Sequence, residues 1–129
     1  MNLSTIIAVA SGGAVGATLR LLINTGIANK GYNVHFPLGT LIVNLLGALL
    51  IGMLFAYFHY NTDIPSALKT FLITGFLGAL TTYSTFAIES FFLLEAGNYT
   101  QAFANMALNL FGTILFAGLG YITILHFTK

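Results

Sequence analysis

The sequence predicts an all-α integral membrane protein with four transmembrane helices. Of its 129 residues, 57% are hydrophobic and only 5% are charged, whereas soluble domains carry about 25% charged residues. A bilayer core about 30 Å thick requires about 20 apolar residues per helix. The chain therefore has room for four spans with short connections, and a separate soluble domain does not fit beside them.

Polar and turn-forming residues delimit the four spans of this single domain. Span one covers residues 4–28 and ends near NKGYN, and span two covers 37–59 after the FPLG turn. HYNTDIP precedes span three at 66–95, and EAGNY precedes span four at 100–126. Residues 1–20 contain no Lys or Arg before the apolar stretch, so we interpret them as the start of a helix rather than a signal peptide.

Span three contains GALTTYSTF at 78–86, a run of poor helix formers. At 1.5 Å per residue the whole span would measure about 45 Å, which is longer than the bilayer core requires. We expect the helix to break near its middle, around Gly78 to Thr82. Irregular backbone at membrane depth persists where protein, water or an ion satisfies it, so carbonyls there could hold a hard cation. The alternative is a Gly and Thr kink in which Tyr83 and Phe86 pack ordinarily.

Three spans carry polar residues, and each set follows one helical face or lies close in sequence. The alternative to a function is interhelical hydrogen bonding, which is common for Asn and Thr in membranes. For the whole set, a permeation path is the better interpretation, and neutral amide and hydroxyl donors with electropositive ring edges suit a small anion. The polar residues are Thr40 and Asn44 on span two, Ser84, Thr85 and Glu89 on span three, and Asn105, Asn109 and Thr113 on span four.

Charged residues inside the spans are few. We interpret Glu89 as a structural or vestibular residue, with Arg20 as a candidate partner, rather than as a proton carrier. Arg20 could equally extend its charged end to the membrane interface or supply positive potential at a vestibule. The three histidines, His35, His59 and His126, lie near span ends and are better explained as interfacial residues than as a metal site.

Two features of the sequence bear on helix packing and on orientation in the membrane: closely spaced small residues and a weak charge bias. Gly12 and Gly16 are four residues apart, a spacing that allows close helix packing. Four spans place Lys69 and Lys129 on one side of the membrane and Lys30 on the other, which hardly decides the orientation. A single, poorly specified topology and insertion in both orientations are therefore both open, and the second would allow two copies to pair antiparallel.

Three motifs now resemble the Fluc/CrcB family of fluoride channels. They are GGAVGATLR at 12–20, GTLIVN at 39–44 and GFLGALTTYSTF at 75–86. The third is highly specific, and the four-span plan extends the similarity across essentially the whole chain. The resemblance implies a dual-topology antiparallel homodimer in a bacterial plasma (inner) membrane, with two fluoride pores and a structural Na⁺ that is not transported.

The resemblance also implies roles for individual residues. Gly78 and Thr81 would offer backbone carbonyls to the Na⁺, and Asn44 would be the pore-facing amide. Tyr83 and Phe86 would stand where the family has two phenylalanines, so Tyr83 is a departure that adds a hydroxyl. Ser84, Thr85 and Thr113 match the family's hydroxyl track, and Arg20 matches its basic residue on span one. Thr40 and Asn109 join the anion pathway through helical spacing.

The sequence therefore predicts a passive channel, and not an enzyme, that exports fluoride and lowers its toxicity in the cytoplasm. The expected partners are fluoride, Na⁺, the lipid bilayer and a second copy of the chain, with no nucleic acid. The alternative is a small proton-coupled multidrug or cation exporter, which would depend on Glu89 and a proton gradient. A third possibility, a structural subunit of a membrane complex, predicts no ion flux.

Overall fold

The computed structural model describes residues 1–32 and 35–129, and its regular structure in these ranges is entirely helical. Four helical segments are long and apolar enough to cross a membrane: Leu3–Asn29, Leu38–Tyr60, Ser66–Glu95 and Tyr99–Thr128. The prediction of an all-α protein with four such helices is confirmed. Of the described chain, only the ends and short connections lie outside these segments.

The first two spans are continuous helices, α1 (Leu3–Asn29) and α2 (Leu38–Tyr60). Asn2 caps α1, because its Oδ1 accepts a hydrogen bond from the backbone N–H of Thr5 at 3.0 Å, one of the first-turn donors that have no partner inside a helix. Pro37 precedes α2, where its missing N–H costs nothing. Both helices run without interruption through the apolar stretches predicted from the sequence.

The third span consists of several pieces. A short α3 (Ser66–Lys69) leads into a π-helix, π1 (Thr70–Leu77), and then into α4 (Gly78–Leu80). Thr81 (φ −79°, ψ 157°) and Thr82 (φ −150°, ψ 119°) are extended, and α5 (Tyr83–Glu95) begins directly after them. Gly78 is helical, with φ −62° and ψ −31°, so the extended backbone lies three residues later than Gly78.

The fourth span also contains a π-helix. It runs from α6 (Tyr99–Ala107) through π2 (Leu108–Gly112) to α7 (Thr113–Thr128). Gly97 separates it from α5 and has φ +79°, a conformation that glycine adopts at little cost. The N–H of Gly97 donates to Leu94 and that of Asn98 to Leu93, at 3.0 and 2.8 Å, which satisfies the last carbonyls of α5.

Two helix pairs are held together by very close backbone contact. α1 packs on π1 and α4, and α2 packs along α7. A Cβ at Gly12 or Gly16 would overlap a backbone carbonyl of the third span, and one at Gly52 or Gly120 would overlap a carbonyl across the α2–α7 contact. The sequence prediction that Gly12 and Gly16 serve close packing agrees with this geometry. In lipid, where apolar surfaces give little driving force for association, such contact favours a stable bundle.

The buried interior contains both an apolar cluster and several polar residues. Val43, Leu77 and Leu80 form the apolar cluster. Asn44, Asn105 and Asn109 are among the buried polar residues, and Asn105 is completely buried. Because an unpaired polar group in hydrocarbon costs several kcal/mol, these buried amides need hydrogen-bond partners within the protein.

Candidate functional site

A central cavity of about 440 Å³ lies beside the extended residues Thr81 and Thr82. Its lining comes from α2, from the third span on both sides of these residues, and from the fourth span. It is formed by Asn44, Gly47, Ala48, Ile51, Ile73, Leu77, Gly78, Thr81, Thr82, Tyr83, Phe86, Met106, Asn109, Leu110 and Thr113. The lining is mostly apolar with a few polar groups, which is typical of sites that bind small ligands.

Asn44 holds the peptide of Thr82 through two hydrogen bonds. The N–H of Thr82 donates to Asn44 Oδ1 at 2.8 Å, and Asn44 Nδ2 donates to the Thr82 carbonyl at 3.1 Å. The carboxamide thereby takes the place of the helical partners that extended backbone lacks. Asn44 is consequently a structural support for this segment as well as part of the cavity wall.

A chain of amide hydrogen bonds continues from Asn44 across the bundle. Asn44 Nδ2 donates to Asn109 Oδ1 at 2.8 Å, and Asn109 Nδ2 donates to Asn105 Oδ1 and to the Asn105 carbonyl, both at 2.9 Å. Asn105 Nδ2 donates to Ser90 Oγ at 3.0 Å. Since a carboxamide has two N–H groups, both Asn44 and Asn109 have all their donors engaged within the protein.

The hydroxyl groups of the predicted anion pathway differ in whether their hydrogen is free to bind an anion. Thr113 donates to the Asn109 carbonyl of its own helix, and Thr40 donates to Glu89 Oε1 at 2.8 Å. Thr85 accepts from the Thr82 hydroxyl at 3.0 Å, so its own hydrogen remains. Ser84 is exposed and makes no side-chain hydrogen bond with the described residues. The donors that an anion could reach without breaking a bond are therefore on α5.

Two aromatic rings stand at the start of α5. Tyr83 and Phe86 have ring centroids 5.4 Å apart and planes inclined at 67°, an edge-to-face arrangement. Both line the central cavity, and Tyr83 is 80% exposed on the surface of a single chain. Because the perimeter of an aromatic ring is electropositive, these edges can face an anion without any hydrogen bond being broken.

The backbone next to the extended residues offers carbonyl oxygens. Arg20 Nη1 donates to the Thr81 carbonyl at 3.3 Å. An uninterrupted helix would give the Gly78 carbonyl the N–H of Thr82, but that N–H donates to Asn44 instead. The carbonyl end of a helix carries partial negative charge, so Gly78 and Thr81 present the oxygen donors that a hard cation requires.

The structure corrects the pairing suggested for the two intramembrane charges. Arg20 bonds the Thr81 carbonyl, whereas Glu89 bonds Thr40, so the candidate Arg20–Glu89 pair is wrong. Glu89 instead lines a second cavity, here called the loop-side cavity, with a volume of about 440 Å³. Its other lining residues are His35, Phe36, Pro37, Phe92, Leu93, Asn98 and Gln101.

Most of the predicted site residues line the central cavity, and a few lie elsewhere. The central cavity brings together Asn44, Gly78, Thr81, Tyr83, Phe86, Asn109 and Thr113. Thr40, Ser84, Thr85 and Glu89 are not among its lining residues, and Thr40 bonds Glu89. Sequence reasoning did not single out Thr82, although a Thr immediately before the first residue of a helix is a recognised N-cap signal.

Replacing Thr82 with alanine is expected to lower the free energy of unfolding by about 1 kcal/mol, the usual effect of losing an N-cap. Thr82 Oγ1 accepts from the N–H of Thr85 at 3.3 Å, and alanine lacks this oxygen. Thr82→Ser keeps it and serves as the matched control. Thermal unfolding in detergent measures both variants, and equal stability of the two would contradict the capping role.

Comparison with known proteins identifies a family. Residues 7–121 match the family model described as CrcB-like protein, Camphor Resistance (CrcB). A protein of Sulfurimonas denitrificans named fluoride-specific ion channel FluC is 53% identical over 121 residues, which cover 94% of this chain and 93% of that protein. Proteins of the same name from Campylobacter fetus and Serratia proteamaculans are 47% and 42% identical. The alignments cover 94% of both chains for the first and, for the second, 95% of this chain and 94% of that protein.

Proposed function

This chain belongs to the CrcB-like family, and we propose that it is a multi-pass membrane channel that conducts fluoride passively out of the bacterial cytoplasm. The observation that carries the proposal is the central cavity, where amides and aromatic edges surround a space without any ionised side chain in its lining. Such a lining can replace part of the hydration of a small anion. No residue in it is arranged for covalent chemistry, and the family's channel function agrees with this.

Fluoride would reach the aromatic edges of Tyr83 and Phe86 first, because those positive perimeters need no rearrangement. It would then compete with Asn109 Oδ1 for an N–H of Asn44, which is engaged at 2.8 Å. Hydrogen bonds to an ionised acceptor are about twice as strong as those between neutral groups. The bond from Asn44 to fluoride would therefore be stronger than the bond to Asn109 that it replaces, and the second bond of Asn44, to Thr82, can persist.

The exposed surface near the cavity supports assembly of two copies. Thr74, Tyr83 and Ser84 are exposed on the third span at membrane depth, and their hydroxyls make no hydrogen bond with the described residues. Hydroxyl groups facing hydrocarbon are unfavourable, and a second copy covering this face would remove the exposure. We infer an antiparallel homodimer, in which each chain helps to enclose the pores.

Labelling tests the antiparallel arrangement directly, since the chain has no cysteine. A single cysteine introduced at the exposed Thr62 should react with a membrane-impermeant reagent from both sides of sealed vesicles. Reaction of half the protein from each side is the expected result. Labelling from one side alone would contradict insertion in both orientations.

A structural Na⁺ at the dimer interface is part of the same proposal. Gly78 and Thr81 would each contribute one backbone carbonyl, which gives two from each copy. The bound positive charge would make the electrostatic potential at the centre of the protein more favourable for anions. The donor set fits, although the Arg20 guanidinium shares the Thr81 oxygen. Fluoride flux should fall when the protein is purified and reconstituted with N-methylglucamine in place of Na⁺, and it should recover when Na⁺ is added. Unchanged flux without Na⁺ would exclude this role.

Reconstitution in liposomes tests the function itself. Vesicles loaded with potassium fluoride or potassium chloride are diluted into fluoride- and chloride-free buffer, and valinomycin starts anion efflux by carrying the counter-ion. Rapid fluoride efflux with little chloride efflux is expected. Lack of fluoride efflux, or equal chloride efflux, would contradict the proposal. Transport that requires a proton gradient and Glu89 would instead identify the exporter alternative.

Replacing Tyr83 with phenylalanine is expected to change fluoride flux by no more than about twofold, because the ring edge that faces the cavity is kept. Tyr83→Leu is the control: it retains apolar bulk but removes the electropositive perimeter, so its flux should fall well below that of the wild type. The liposome assay measures both variants. Loss of flux in Tyr83→Phe would show instead that the hydroxyl takes part in conduction.

A further inference from the structure

A groove with a volume of about 400 Å³ lies between the end of α1 and the start of α2. Its walls include Leu22 and Ile27 of α1 and Leu38 and Ile42 of α2. Lys30, at the end of α1, is the charged residue among those that line it. This α1–α2 groove is therefore apolar along most of its length and positive at one end.

Gly26 leaves part of the groove open. A Cβ at Gly26 would meet nothing within 4 Å, whereas a Cβ at Gly12 or Gly16 of the same helix would overlap the backbone of the third span. Since no helix packs on Gly26, the space beside it is available to a ligand.

The turn after α1 fixes the positive end of the groove. Gly31 has φ +76°, and its N–H donates to the Ala28 carbonyl at 2.9 Å, while the N–H of Tyr32 donates to the Ile27 carbonyl at 3.3 Å. These two bonds form the Schellman arrangement, which satisfies two of the last carbonyls of the helix. They also hold Tyr32, which lines the groove together with Lys30, close to the end of α1.

Lys30 is free to bind an anion. It is exposed, and its ammonium has no acidic partner among the described residues. Tyr32 is exposed as well, and Lys and Tyr at the end of a span are typical of the level of the lipid headgroups. A basic group in a groove between membrane helices suits the phosphate of an anionic lipid.

The groove opens away from the central cavity. Ile42 lies two residues before Asn44, which is about 200° around α2 at 3.6 residues per turn, and Asn44 lines the central cavity. Leu22 is 63% exposed and Ile42 is 36% exposed. The face assigned above to the second copy is on the third span, so the bilayer itself reaches this groove.

We propose that the α1–α2 groove binds an anionic phospholipid, with an acyl chain beside Leu22, Gly26 and Ile42 and the phosphate at Lys30 and the Tyr32 hydroxyl. A lipid fits better than free phosphate, because most of the lining is apolar and the charge lies at one end. α1 and α2 pack mainly on other helices. A lipid in the groove therefore joins two helices that otherwise touch little.

Fluorescence quenching tests the proposal, because the chain has no tryptophan of its own. Leu22→Trp places an indole at the groove, and Phe103→Trp is the matched control, because Phe103 is also 63% exposed but is not part of the groove lining. Vesicles contain phosphatidylglycerol and phosphatidylcholine, with either one brominated, so quenching reports which lipid lies beside the indole. About fivefold preference for phosphatidylglycerol is expected in Leu22→Trp, and little preference in Phe103→Trp.

Further substitutions, each combined with Leu22→Trp, identify the groups responsible. Lys30→Gln should abolish the preference, and Lys30→Arg should keep it. Gly26→Leu, which fills the open space but leaves the charge, should also abolish it. Lys69→Gln should have no effect: it removes the same charge near the opposite membrane surface, where Lys69 lies over the Phe58 ring at 5.6 Å.

Equal quenching by the two lipids in Leu22→Trp would overturn the proposal, and so would a preference that persists in Lys30→Gln or Gly26→Leu. Fluorescence of Leu22→Trp that neither brominated lipid quenches would show that a second copy covers the groove, and would overturn it as well. No fluoride is used in this measurement. Failure of the proposed channel in the efflux assay would therefore leave the lipid site standing.

Discussion

Replacing Asn44 with aspartate is expected to lower fluoride flux by about 100-fold or more, because a carboxylate there places a negative charge in the central cavity. The substitution also removes both N–H donors of the side chain. The oxygen that replaces Nδ2 would then face the Thr82 carbonyl and Asn109 Oδ1, which accept from Asn44 at 3.1 and 2.8 Å in the wild type. The liposome efflux assay measures the result.

Asn44→Ala separates the effect of charge from the effect of lost hydrogen bonds. It removes the same two donors but adds no charge, so its flux should lie between that of the wild type and that of Asn44→Asp. Size-exclusion chromatography of each variant reports whether the protein remains folded and uniform. Wild-type flux in a folded Asn44→Asp variant would remove Asn44 from the anion path.

Replacing Gly52 with valine is expected to destabilise the protein by about 3 kcal/mol, at the upper end of the usual effect of overpacking. A Cβ at Gly52 would overlap the carbonyl of Ala117 and come within 3.0 Å of the Tyr121 nitrogen. Because these are backbone atoms, rotation of a side chain cannot relieve the overlap, and α2 would have to move away from α7.

Gly118→Val is the matched control, since it makes the same chemical change on α7 where a Cβ would meet nothing within 4 Å. Unfolding in increasing sodium dodecyl sulfate, followed by circular dichroism, compares the two variants with the wild type. Similar stability of both would contradict the close α2–α7 contact. If Gly52→Val cannot be purified, Gly52→Ala, which carries the Cβ alone, should still be less stable than Gly118→Ala.

The fold class and much of the cavity lining could be predicted from the sequence because they depend on composition and periodicity. Hydropathy gives the number of spans, and helical spacing puts Asn109 and Thr113 on one face, where both line the central cavity. The family motifs direct attention to Tyr83 and Phe86 in the same way. These features require only local pattern and the dimensions of a bilayer.

The partners of the polar groups could not be predicted in this way. Periodicity places Asn44 towards the interior, but it does not reveal that its amide binds the Thr82 peptide and Asn109 at once. Likewise, Arg20 and Glu89 are a natural pair by charge, yet Arg20 donates to the Thr81 carbonyl and Glu89 accepts from the Thr40 hydroxyl. Partner choice depends on helix rotation, and the π-helices π1 and π2 alter that rotation without any strong sequence signal.

The amide chain from Asn44 through Asn109 and Asn105 to Ser90 has a direction, because every carboxamide in it donates towards α5. Turning over a single carboxamide would set oxygen against oxygen on one side and N–H against N–H on the other. Backbone groups also fix this direction, because the N–H of Thr82 donates to Asn44 and the Asn105 carbonyl accepts from Asn109, and the aligned members strengthen one another. An anion that took an N–H from Asn44 would therefore act on a row of aligned dipoles that ends at Ser90 on α5.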